Sequence, residues 1–160
     1  MVVSLAVLLG IVLLVVIGYR VLQNGEQPVV VDPAPTVAEA ERVTDFPVGQ
    51  PEGLPAGWRP LSATFGRAET GDTLRIGYLT PSGGGVQLVQ SDVEPVALVA
   101  AELGPGPALQ GTETVGGRTW QRYSARKSEV ALVLAEPERT VIVIGTAPVE
   151  EIRSLAAAVR

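Results

Sequence analysis

The 160 residues contain no histidine and no cysteine, and 17 acids outweigh 12 bases for a net charge of −5. That inventory removes disulfides, thiolate nucleophiles, the commonest general base and the usual transition-metal ligands together. The acids gather near the N-terminus, where Glu26, Asp32, Glu39, Glu41 and Asp45 stand against Arg20 and Arg42, and the rest has too little net charge to attract nucleic acid as a partner.

Residues 1–18 read MVVSLAVLLGIVLLVVIG, and Ser4 is the one polar side chain before Tyr19. A helix continued through Leu22 rises about 30 Å, the thickness of a bilayer's hydrocarbon core. A buried helix of a soluble domain would show a polar face, and this stretch has none. A cleaved signal would show a basic leader, a shorter apolar run and a small-x-small site just after it; the first A-x-A falls only at residues 38–40. The expectation is an uncleaved transmembrane anchor over residues 1–22, meeting the bilayer through residues 2–22, with Tyr19 and Arg20 as its interfacial collar. Taken alone, Arg20 favours a cytoplasmic location for the residues C-terminal to the anchor.

Residues 23–46 read as a Pro-rich acidic stalk with local helical order over 37–43. Residues 47–160 are then one domain of ordinary single-core size. Residues 58–65 predict a first strand; Leu74, Ile76 and Tyr78 alternate with Thr73, Arg75 and Gly77 as a second; residues 86–91 follow the PSGGG turn as a third. Pro95 suits a first helical position, Val96, Val99, Ala100 and Leu103 recur at helical spacing as a buried stripe, and Gly104-Pro105 closes the helix.

After the loop GPGPALQG come strands over 112–115 and 119–125, then two over 130–135 and 140–145 whose continuous apolar runs place them centrally. A last helix opens at TAPVEE, with Thr146 as cap and Glu150 and Glu151 at the positive end of the dipole; Val149, Ile152, Leu155, Ala156 and Val159 form its buried stripe. The expected fold is α+β: an N-terminal transmembrane helix, then an antiparallel sheet of about six to seven strands with two helices packed on it.

GLPAGWRPLSATF at 53–65, QSD at 90–92, VGGRTWQRY at 115–123 and VIVIGTAPVEEIRSLAAAVR at 141–160 resemble the actinobacterial membrane-anchored family called domain of unknown function 4245 (DUF4245). The resemblance covers nearly the whole chain. It implies a single-pass protein with an extracytoplasmic domain, and it implies no reaction and no catalytic residues. A fainter likeness links the LPAGW segment and the C-terminal helix to envelope domains of some anti-sigma factors and to lipid-carrying folds; this is an analogy of fold, which does not transfer function.

Little in the chain carries chemistry. Residues 124–127 read S-x-x-K, a spacing that joins serine and lysine across a helical turn, but a strand end points them to opposite faces. Glu136 with Glu138, and Glu150 with Glu151, occupy a turn and a helix start, both ordinary structural placements, and no calcium-loop spacing exists. GPGP cannot cradle phosphate because Pro105 and Pro107 lack an N–H. No cofactor motif and no metal site emerge. The best ligand-binding candidate is RTWQRYSARK at 118–127, where a strand would put Arg118, Trp120, Arg122 and Arg126 on one face, a cation and aromatic surface for phosphate or carboxylate groups. The competing expectation sends Trp120 into the core and leaves the arginines as surface charges, and Trp58 reads as a packed anchor at the start of the domain.

The sequence thus predicts a single-pass cell-envelope protein of the cell membrane, its outward domain a non-catalytic binding, sensing or scaffold module. An envelope protein, a lipid headgroup or an anionic wall polymer is the expected partner. The alternative is a lipid or lipoprotein carrier holding an apolar ligand on the sheet; an enzyme ranks third.

Overall fold

The computed structural model describes residues 30–126 and 128–160, together with Val12 and Leu13. The expected span at 2–22 otherwise lies outside them, and among the described residues no helix is long and apolar enough to cross a membrane.

Seven strands form one antiparallel sheet: β1 (Arg59–Ala68), β2 (Gly71–Leu79), β3 (Gly85–Ser91), β4 (Ala108–Val115), β5 (Arg118–Ser124), β6 (Val130–Ala135) and β7 (Thr140–Gly145). Their order is β1-β2-β3-β7-β6-β5-β4, so two meanders meet where β3 pairs with β7 (Leu88 opposite Val143). The uninterrupted apolar run of β7 is the middle of the sheet because both its faces are covered. The two meanders are joined by helix α2 (Pro95–Leu103), and helix α3 (Val149–Ala158) follows β7.

Three helices pack on the sheet rather than two. The additional one, α1 (Ala34–Val43), falls inside the segment read as stalk. Asp32 Oδ1 accepts the Ala34 N–H at 3.0 Å at its start, and Thr44 turns back at its end, giving both its N–H and its hydroxyl to the Ala40 carbonyl. Val37, Ala40 and Phe46 are buried, so residues 34–46 are part of the domain. Two inward positions three apart suffice to dock so short a helix, which composition dominated by proline and acids does not reveal.

One face of the sheet carries Leu74, Ile76, Leu88, Leu132 and Val143 beneath α1 and α3. The other carries Val89, Ala131, Val133, Ile142 and Ile144 beneath Leu98 and Leu103 of α2. The stripe expected on α2 is rotated: Val96 is 75% exposed and Leu98 buried. The helix is apolar on nearly every side, so periodicity could not choose its buried face; the Arg75–Glu102 ion pair chooses it. On α3 the stripe is as expected at Ile152, Leu155, Ala156 and Val159, but the N-cap position is Pro148, without a side-chain cap, in place of Thr146. Ala108, Leu109 and Gln110, expected in a loop, extend β4.

Candidate functional site

Strand alternation puts Arg118, Trp120 and Arg122 on the face that α3 covers, Arg122 standing opposite Leu132. Trp120 is therefore core: it is fully buried and its indole N–H donates to the Val115 carbonyl at 3.2 Å. The Arg118 guanidinium lies 5.3 Å from the indole centroid and donates to the carbonyls of Ala156 and Val159 at 3.0 and 2.6 Å, closing the C-terminus of α3. Arg122 is half-buried, and its Nε has no hydrogen-bond partner.

Arg126 does not join them. The strand ends at Ser124, and the chain reverses where Ala125 donates to the Glu129 carbonyl and Glu129 to that of Arg126; the two-residue period stops there. Arg126 emerges on the opposite face, beside Gly104 of the α2 terminus, with Nη1 3.8 Å from Glu129. The expected four-residue surface is thus divided between the two faces. Ser124 approaches the Ala108 carbonyl at 3.4 Å, and its S-x-x-K partner Lys127 lies outside the described residues.

Of the acids considered for chemistry, Glu136, Glu150 and Glu151 are tied to structural partners, and Glu138 is exposed in its turn. Glu136 meets Arg118 at 3.6 Å and Arg139 at 2.7 Å. Glu150 meets Arg153 at 2.7 Å, and Arg153 also holds Glu113 at 2.6 Å. Glu151 accepts the Ser82 hydroxyl at 2.6 Å and its N–H at 3.1 Å, bonds that with Thr80 hold its carboxyl below the ordinary carboxylate value. Among the described residues no three acids gather as metal ligands.

A site that sequence reasoning missed lies on the α2 face. Register aligns Ser62, Gly77, Gln87 and Ile144 in one row across β1, β2, β3 and β7. Gly77 contributes no side chain, and a Cβ there would stand 2.5 Å from Ser62 Oγ. α2 packs over β6 and β7, leaving this row as the floor of an open trough of about 420 Å³, walled by Leu61, Thr146, Arg126 and Glu129. Hydroxyls, one amide and one ion pair share this space with Leu61, Val86 and Ile144, a mixed surface suited to a small ligand with both polar and apolar parts. Cross-strand register, which no local pattern encodes, assembles it. Two smaller hollows flank α2: about 270 Å³ against Arg67 and Arg75, and about 240 Å³ among Val96, Val99, Tyr123 and Val133.

Comparison with solved structures finds a likeness to MucB in complex with MucA(peri), at 15% identity and a TM-score of 0.44, covering 72% of this chain and 36% of that one. The chain thus spans about a third of the length of that protein. No curated protein matches the chain. The family model described as "Protein of unknown function (DUF4245)" matches residues 1–159, and the chain belongs to the DUF4245 family.

Proposed function

We propose that this is a single-pass protein of the cell membrane whose folded domain stands outside the cell and binds, senses or scaffolds a partner without catalysis. The observation that carries the reading is the trough, an open hollow of mixed polar and apolar lining on the part of the sheet that α2 leaves free. The apolar run at residues 2–22 supports the tether, and the engagement of Glu113, Glu136, Glu150 and Glu151 with structural partners supports binding over acid–base chemistry.

Protease treatment of intact cells carrying an epitope after Arg160 tests the location. Loss of the epitope without lysis is expected; protection until lysis would place the domain inside. Turnover of an envelope substrate that depends on Ser124, Lys127 or a carboxylate pair would end the non-catalytic reading.

The hollow between α2 and β5, lined by Val96, Val99, Tyr123 and Val133, favours a second reading, a lipid or lipoprotein carrier. The central apolar side chains of the sheet lie under helices on both faces, and this hollow offers an apolar ligand Val96, Val99 and Val133 beside them. Displacement of an environment-sensitive dye by a lipopeptide, abolished by Val99→Asp, would establish it.

A further inference from the structure

The trough and the start of the described chain lie at the same end of the sheet. The Val31 N–H donates to the Pro60 carbonyl at 2.9 Å, and Pro60 stands opposite Tyr78, next to the Ser62–Gly77 pair in the trough floor. Because α1 packs on the sheet, residues 34–46 are withdrawn from the tether. If residues 2–22 cross the membrane, only residues 23–29 separate it from the domain, and seven residues extend at most about 25 Å. With such a tether the near end of the sheet, with the turns at 80–84 and 125–129, stays within about 25 Å of the bilayer surface.

Charge agrees with this placement. The turns at the far end carry Glu69, Asp92, Glu94, Glu136 and Glu138 against Arg67 and Arg139, whereas the near end sets Arg59 and Arg126 against Asp32 and Glu129, and its acids Glu150 and Glu151 are held by Arg153 and Ser82. Inside the trough the charged side chains among the described residues are Arg126 and Glu129. Arg126 Nη1 and Glu129 Oε2 pair at 3.8 Å, longer than a hydrogen bond; Oε2 itself is buried, while the Arg126 and Glu129 side chains are 56% and 21% exposed. A loose ion pair of this kind can open to a ligand carrying both signs a few ångströms apart, whereas a purely anionic headgroup would meet Glu129 as a like charge.

We infer that the trough takes the headgroup of a membrane phospholipid of the phosphoethanolamine type, its phosphate on Arg126 and its ammonium on Glu129, with Ser62 and Gln87 completing the polar contacts. The inference rests on the membrane tether of the proposed function and adds the ligand. Its occupant is supplied by the bilayer that holds the chain.

The test uses the full chain in phosphatidylcholine nanodiscs. Glycerophosphoethanolamine should shift the backbone amide resonances of Gly77, Gly85 and Gly145 saturably, and Arg126→Gln and Glu129→Gln should each weaken the response at least tenfold. Glycerophosphocholine, which has no N–H for Glu129, and glycerophosphate should act far more weakly. A chain without cysteine also permits single spin labels at Pro81→Cys and Glu138→Cys, and a paramagnetic lipid headgroup should relax the first several-fold faster. Silent glycine amides, responses unchanged in both variants, an equal response to glycerophosphate, or equal relaxation of the two labels would each overturn the inference while leaving the tether intact. Failure of the chain to float with vesicles would overturn the tether itself and the inference with it.

Discussion

Arg139 and Gln90 are joined side chain to side chain in the interior, Nη1 donating to Oε1 at 2.7 Å. The same Gln90 oxygen accepts the Gly49 N–H and its amide nitrogen donates to the Gly49 carbonyl, both at 2.7 Å. Arg139 also donates to the Pro47 carbonyl and pairs with Glu136 at 2.7 Å. One buried amide and one buried guanidinium thus fasten the extended segment that leaves α1 to the middle of the sheet. Gln90→Leu removes both bonds to Gly49 and leaves a buried N–H and a guanidinium short of partners, so a loss of about 2–4 kcal/mol is expected. Urea unfolding measures it, and a change within about 0.5 kcal/mol would show that water replaces the amide.

Trp120 lies in the core and Trp58 at its margin, edge-on to Tyr78 at 6.1 Å between centroids. Acrylamide should quench Trp58 and leave Trp120 almost untouched, giving a two-component quenching curve that Trp58→Phe reduces to its inaccessible part. Trp120→Ala should cost about 3–5 kcal/mol through the cavity it leaves. Ready quenching of Trp120 would restore it as a ligand-binding residue.

Burial pushes the Tyr78 hydroxyl from 10.0 up to about 12. The fold favours the neutral phenol, so this stability is complete below the unfolded-state value and is lost as pH rises from about 10 towards 12. Tyr78→Phe should flatten the alkaline limb of the melting-temperature profile. Glu151 has the opposite sign: its lowered carboxyl contributes above the unfolded-state value of 4.5 and loses its contribution as pH falls through the folded one. Glu151→Gln should flatten the acid limb, and a profile parallel to that of the parent would show that Glu151 makes no such contribution.

Arg118 should behave as a structural residue. Its two bonds to the carbonyls of Ala156 and Val159 predict that Arg118→Met costs about 1–3 kcal/mol. Hydrogen exchange should quicken in the last turn of α3, while the trough glycines keep their response to glycerophosphoethanolamine. Loss of that response in a folded Arg118 variant would restore Arg118 as a ligand contact.

Elements whose buried pattern was unambiguous were legible in the chain. β6 and β7 have the expected bounds because each is bounded by turn residues and carries an unbroken apolar run. The stripe of α3 was readable because polar Glu150, Arg153 and Ser154 mark its outer face, whereas α2 offered no such contrast and its orientation came from Arg75, distant in sequence. The helix α1 was obscured by the proline and acid content around it. The candidate site failed at one residue for a local reason, the turn after Ser124, and at another for a global one, since only packing decides whether an indole on a strand faces α3 or water. The trough was illegible: Ser62, Gly77, Gln87 and Ile144 have nothing in common until the register aligns them.

The N-terminal segment and the C-terminus run side by side, Pro51 bridged to Val159 and the Arg160 N–H donating to the Gln50 carbonyl at 3.3 Å. A pulling force entering through residue 30 meets these attachments in series. The lone Val31–Pro60 bond breaks first, α1 peels next because its few buried side chains detach one at a time, and the load then reaches the bonds around Gly49. There Gly49 is clamped on both its N–H and its carbonyl by the Gln90 side chain, close against the Arg160 carbonyl. Beyond that clamp the strands would have to part along the sheet's own ladder, so tension spends itself on the N-terminal attachments before it deforms the trough.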